Sequence, residues 1–109
     1  MAYDEMLAQR VRALLAKKGG VTERKMFGGI AFMVGGNMCV GVVKDDLMVR
    51  VGPDGHDDAL AQPGARPMDF TGRPMRGMVF VGPRGYRTGA GLSAWVQRGV
   101  AFAKTLPAK

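Results

Sequence analysis

The chain has 109 residues, 47% hydrophobic and 23% charged, with a formal net charge of +7 at pH 7 and one cysteine, Cys39. This is enough for one ordinary domain that buries roughly 60–70% of its unfolded surface, so no metal or disulfide is needed for folding. The composition excludes disordered and collagen-like classes, and a lone cysteine excludes an internal disulfide. With no long uncharged apolar run there is neither a membrane span nor a secretory signal, so a cytoplasmic single-domain protein is expected over 1–109.

In chain order, Asp4 is a candidate N-cap for a first helix in which Leu7, Val11, Leu14 and Leu15 recur at helical spacing. Arg10, Arg12 and Lys17 are expected on its solvent side, and Gly19-Gly20 stops it. The stretch from Thr22 to Phe27 reads as an extended lead-in. Gly28-Gly29 follows, where glycine in a strand pattern marks a bulge, a bend or the close approach of another backbone.

Ile30–Val34, Met38–Val43 and Leu47–Val51 are three apolar runs at short spacing. Gly35-Gly36-Asn37 supplies the positive φ angles of a tight hairpin, and Lys44-Asp45-Asp46 makes a second polar turn. A three-stranded antiparallel meander is therefore predicted. Alternation puts Ile30, Phe32 and Val34 on one face and Ala31 and Met33 on the other. Leu47, Val49 and Val51 likewise oppose Met48 and Arg50. One face is expected to carry helices and the other to meet a partner.

Gly52-Pro53-Asp54 opens a short helical segment that Gln62-Pro63-Gly64 ends. Met68–Phe70 and Met78–Val81 are two further strand candidates, separated by Thr71-Gly72-Arg73-Pro74 and able to pair as a hairpin. Gly82-Pro83-Arg84-Gly85 reads as a turn. Thr88 caps a last helix with Leu92, Trp95, Val96, Phe102 and Leu106 as its apolar stripe, closed by Pro107. The order α-β-β-β-α-β-β-α predicts an α+β domain with helices on a mainly antiparallel sheet.

This order, with Lys25-Met26-Phe27-Gly28-Gly29, Phe32, Leu47-Met48-Val49-Arg50-Val51 and Arg66-Pro67-Met68, resembles the TfoX N-terminal domain family over nearly the whole chain. The resemblance implies a fold shared with YgaC-like and secretion-chaperone-like domains, in small units able to form dimers. In the founding proteins such a domain precedes a second one, and the whole regulates natural competence genes. The chain is expected to be a standalone copy of the first domain, and the family brings no established catalytic or ligand residues.

No combination of residues assembles a catalytic or metal site on paper. Cys39 lies mid-strand and reads as core, since no base or cation is placed to lower its pKa. His56 is the only histidine, too few for a histidine metal pair, and reads as a solvated loop or helix-start residue. The nine acids fall in caps and turns. Gly28-Gly29 with Lys25 lacks the strand-to-helix context of a phosphate loop. Arg50, in an apolar strand, calls for an internal salt bridge to Asp69 or Glu23, or for a ligand or interface role. Arg66, Arg73 and Arg76, with Arg84 and Arg87, form either a basic rim or solvated loops. The nine methionines fill the core or line a plastic contact surface.

Three functions follow as expectations. The first is a non-enzymatic cytoplasmic interaction or regulatory module, a homodimer binding a protein partner through a sheet face or edge near Lys25, Phe27, Gly28, Gly29 and Arg50, with Arg66 and Arg73 as further contacts. The second is a nucleic-acid-associated regulator drawing on the positive charge. The third is a small enzyme or anion-binding domain using Arg50, Lys25 and the glycine pair. No cofactor, metal or membrane partner is expected.

Overall fold

The computed structural model describes residues 3–17, 20–26, 28–69 and 74–107, with backbone alone at 26, 69 and 74–76. Helix α1 (Glu5–Leu15) starts where the Asp4 carboxylate accepts the Leu7 amide at 3.1 Å, satisfying a donor that a helix start leaves free. It buries Leu7, Ala8, Val11 and Leu15, with Leu14 packed at the margin.

Six strands follow: β1 (Val21–Met26), β2 (Gly29–Val34), β3 (Asn37–Val43), β4 (Asp46–Arg50), β5 (Ala65–Asp69) and β6 (Pro74–Val81). All neighbours are antiparallel, in the lateral order β1-β2-β3-β4-β6-β5. The meander holds as predicted in β2, β3 and β4. Gly35 and Gly36 take φ of 59° and 81°, the pair of left-handed residues that a type I′ hairpin requires. The β3–β4 turn is Lys44-Asp45, because Val43 already pairs with Asp46. Its carbonyls are held by the Asp4 amide on Lys44 and the Tyr86 hydroxyl on Asp45, each at 2.7 Å.

Three expectations change. The lead-in to the meander is a strand in its own right, paired with β2 from Val21↔Val34 to Met26↔Gly29. Its residues Thr22, Glu23, Arg24 and Lys25 are exposed, so it is a polar edge strand without the apolar alternation that marks an inner one. Asn37 leaves the turn: it is the first residue of β3, only 3% exposed, and its Nδ2 donates to the Pro107 carbonyl at 2.9 Å. Finally, the expected turn at 82–85 contains a short helix, α3 (Pro83–Tyr86), with proline in the first helical turn.

Helix α2 (His56–Leu60) links β4 to β5, and α4 (Gly89–Lys104) starts with the Thr88 hydroxyl accepting the Gly91 amide at 2.9 Å. Leu106 lies past the end of α4, and Phe102 is half-buried beside Gly52, so neither belongs to the fully buried stripe of Leu92, Trp95, Val96, Val100 and Ala103. The expected hairpin of strands five and six forms, but β6 docks on β4 and leaves β5 at the edge. Pro67 fits there, since an edge strand tolerates a missing donor.

The sheet divides the core in two. On one face, residues of all four helices pack with Ile30, Phe32, Val40, Val42, Leu47, Val49, Val79 and Val81. Among the described residues the opposite face holds strand residues: Ala31, Met38, Val43, Met48 and Met68, all buried, with Met33, Met78 and Phe80 partly buried beside them. The alternation read from the sequence is thus the physical division of the molecule. Helix α4 lies very close to β3 at Gly99, where a side chain would press on the Cys39 carbonyl and stand 2.8 Å from Val40 Cγ1.

Candidate functional site

The expected site residues do not converge. Lys25 is exposed on β1, opposite Ile30 and hence on the helix side of the sheet. Arg50 ends β4, three strands away. Gly28 makes the β1–β2 turn at φ 75°, and Gly29 approaches the Val42 carbonyl so closely that no side chain fits. The glycine pair is therefore a structural bend with a close backbone contact. Phe27 and Arg73 lie outside the described residues.

Arg50 finds a partner that sequence reasoning did not weigh. Its guanidinium lies 5.3 Å from the centroid of the Phe102 ring on α4, and it pairs with no carboxylate among the described residues. Of the two acids considered for it, the side chain of Asp69 lies outside the described residues, and Glu23 is taken by Arg12, whose Nε and Nη2 donate to the carboxylate at 2.6 and 2.8 Å. That hydrogen-bonded pair holds the Glu23 carboxyl below its ordinary range. Beneath it, Leu15, Ala16, Val21 and Phe32 line a shallow cleft of about 120 Å³, far below the size of usual small-molecule sites.

Arg66 on β5 crosses β6 to bind both oxygens of Asp46, one at 2.9 Å, with its guanidinium 5.2 Å from the Phe80 ring centroid. Arg24, on β1 opposite Ala31, is exposed and makes no ion pair or hydrogen bond among the described residues. Arg84 and Arg87 are exposed, while the side chain of Arg76 lies outside the description. Arg10 corrects another expectation: it is half-buried, and its Nη2 donates to the Tyr86 carbonyl at 2.9 Å.

Cys39 is fully buried, its thiol donates to the Phe32 carbonyl at 3.3 Å, and burial pushes its pKa up to about 11. This is the core residue that was expected. His56 stands at the helix start but is 6% exposed, not solvated: its Nδ1 accepts the Gly77 amide at 3.0 Å. Gly77 in turn accepts the Val51 and Gly52 amides, so the histidine pins a bulge where β6 passes the end of β4. Sequence reasoning missed His56, Asn37 and Arg10 because their partners are distant in the chain and no local pattern points to them.

The helix-free side of the sheet carries partly accessible Met33, Met78 and Phe80 over a buried methionine floor, with Arg24 and Arg66 on the flanking strands. Among the described residues, no three His, Cys, Asp or Glu side chains gather as a metal site, and no helix is long and apolar enough to cross a membrane.

Fold and surface together define a small α+β domain, helices on one side of an antiparallel sheet and an apolar face on the other. The chain belongs to the TfoX N-terminal domain family, whose model matches residues 13–103. This is a regulatory family linked to competence and not known for catalysis. No curated protein and no solved structure matched the chain.

Proposed function

We propose that this protein is a non-enzymatic cytoplasmic interaction module, regulating by contact with another protein through the helix-free face of its sheet. The observation that carries the reading is the composition of that face. An antiparallel sheet with helices on one side normally presents polar residues on the other, whereas here the partly accessible side chains are Met33, Met78 and Phe80, over Ala31, Met38, Val43, Met48 and Met68, which are buried. Side chains of this adaptable type suit a surface that moulds to a partner.

Self-association belongs to the same reading and uses a different surface. Among the described residues β1, beside Lys25, Gly28 and Gly29, is an edge of the sheet, a position from which a second copy can add a strand. Light scattering after size exclusion, at low and high salt with and without duplex DNA, tests both parts. The expected result is a DNA-independent particle of twice the 11.6 kDa chain mass. A monomer that co-elutes with DNA at low salt alone would replace this reading with a nucleic-acid-associated one, since phosphate contacts weaken steeply with salt.

A further inference from the structure

The two edges of the sheet are built differently. On β5, Pro67 offers no amide and the register slips between Pro67 and Asp69, two devices that blunt an edge against further pairing. On β1 the pairing with β2 runs from Val21↔Val34 to Met26↔Gly29 without a slip, no proline intervenes, and Thr22, Glu23, Arg24 and Lys25 are exposed. Alternate residues of an edge strand turn their amide and carbonyl away from the sheet, so β1 offers a regular ladder of donors and acceptors. Among the described residues it is the edge on which a further strand can seat.

Charge decides which strand. Alternation places Glu23 and Lys25, opposite Phe32 and Ile30, on the helix side, and Arg24, opposite Ala31, on the other. Glu23 is neutralised by Arg12, whereas Arg24 and Lys25 make no ion pair or hydrogen bond among the described residues. The edge therefore shows one uncompensated cation on each face of the sheet. A second copy meets it poorly. Two antiparallel edges related by a two-fold axis pair residue i with residue j at a constant sum, and equal facing makes that sum even. Every register that joins more than three residues of β1 then centres on Glu23 or Arg24 and sets that residue against its own copy.

Resting on the reading of β1 as a pairing edge, we infer that it also receives an extended acidic segment of another protein, added as a further strand in place of the second copy. Acidic residues stand at two consecutive positions of that segment, one on the helix side against Lys25 and one on the other side against Arg24. An uncharged residue stands opposite Glu23. The backbone ladder supplies affinity, and the two cations select the sequence. Self-pairing is the looser state of the edge, and the acidic strand displaces it.

The test is fluorescence anisotropy with labelled peptides of about eight residues, threonine and valine throughout except for a central pair. The pair is Glu-Glu in one peptide and Lys-Lys in the other. The Glu-Glu peptide is expected to bind saturably, at least about tenfold more tightly than the Lys-Lys peptide, and less tightly as salt rises. Arg24→Glu combined with Lys25→Glu, two changes at exposed side chains, is expected to reverse the order. Because a chain of net charge +7 attracts any acidic peptide, a third peptide keeps the glutamates but carries methyl groups on its amides, and it is expected to lose at least about tenfold. In light scattering, saturating Glu-Glu peptide is expected to leave one chain per particle. Equal binding of the two charged peptides, binding that survives amide methylation, or binding of neither overturns the inference. If neither binds and light scattering shows a dimer that Glu23→Cys or Arg24→Cys locks as a disulfide, the edge is occupied by a second copy alone. The inference then fails while the reading of β1 as a pairing edge stands.

Discussion

Replacing Gly99 by alanine tests the closest approach between helix and sheet. In an isolated helix the change is favourable by about 1 kcal/mol, because glycine loses more backbone entropy than alanine. Here the new methyl would press on the Cys39 carbonyl and stand 2.8 Å from Val40 Cγ1, where carbon atoms rest at roughly 3.5–4.0 Å. Relief requires α4 to lift by about 1 Å. The helix cannot lift freely, since Leu92, Trp95, Val96, Val100 and Ala103 are all buried on the same face. Overpacking of this kind costs about 1–3 kcal/mol, and with the site this confined the upper end applies. Subtracting the helix gain leaves a net loss of about 2 kcal/mol, or roughly 8–12 °C in melting temperature for a domain of this size. Urea unfolding followed by the fluorescence of Trp95, the only tryptophan, measures it. Ala101→Gly, at an exposed position of α4, is the comparison and should lose about 1 kcal/mol through propensity alone. A Gly99→Ala protein as stable as the parent would refute the reasoning, since helix propensity would then outweigh contact at the sheet.

Two further outcomes follow from titratable groups. With the Cys39 thiol pushed up to about 11, its thiolate fraction at pH 8 is about 200-fold below that of an ordinary cysteine, before any steric block is counted. Reaction with a disulfide reagent should therefore be slow in the native protein and fast in denaturant; modification within seconds under native conditions would contradict the burial. Glu23 has a lowered folded-state pKa, so its contribution is present above the unfolded carboxylate value and is lost as pH falls through the folded one. With its side chain and that of Arg12 35% and 38% exposed, the pair is worth at most about 1 kcal/mol. Glu23→Gln should lose that much near neutrality and nothing in acid, and a stability difference that persists at low pH would point to another cause.

The parts of the fold legible in the sequence are those held by neighbours in the chain. Gly35-Gly36 states its own hairpin, Asp4 and Thr88 their own helix starts, and the alternation of Ile30, Ala31, Phe32 and Met33 its own two faces. Strand β1 was not legible as a strand because VTERKM has no apolar face to announce it, and its strand character comes from the β2 edge it pairs with. The short α3 hides in a Gly-Pro-Arg-Gly stretch that equally spells a turn. On the helix-free face, Met33 and Met48 could be assigned to the side away from Ile30 and Leu47 by counting. That Arg66 and Phe80 share a row with them could not, because it depends on β6 inserting between β4 and β5. The destination of Arg50 was equally hidden, as the aromatic ring beside it lies 52 residues further on.

That insertion also shapes how the domain comes together. Within β1 to β4 each pairing is between sequence neighbours, and β5 pairs with β6 likewise, so each half is joined through short loops. The seam between the halves, Leu47↔Val81 to Arg50↔Met78, closes loops of 28 to 34 residues. Because non-local pairing is where loop entropy is met, closing this seam carries more of that cost than any other pairing in the sheet. The buried His56–Gly77 bond is at one end of that seam and acts as its latch.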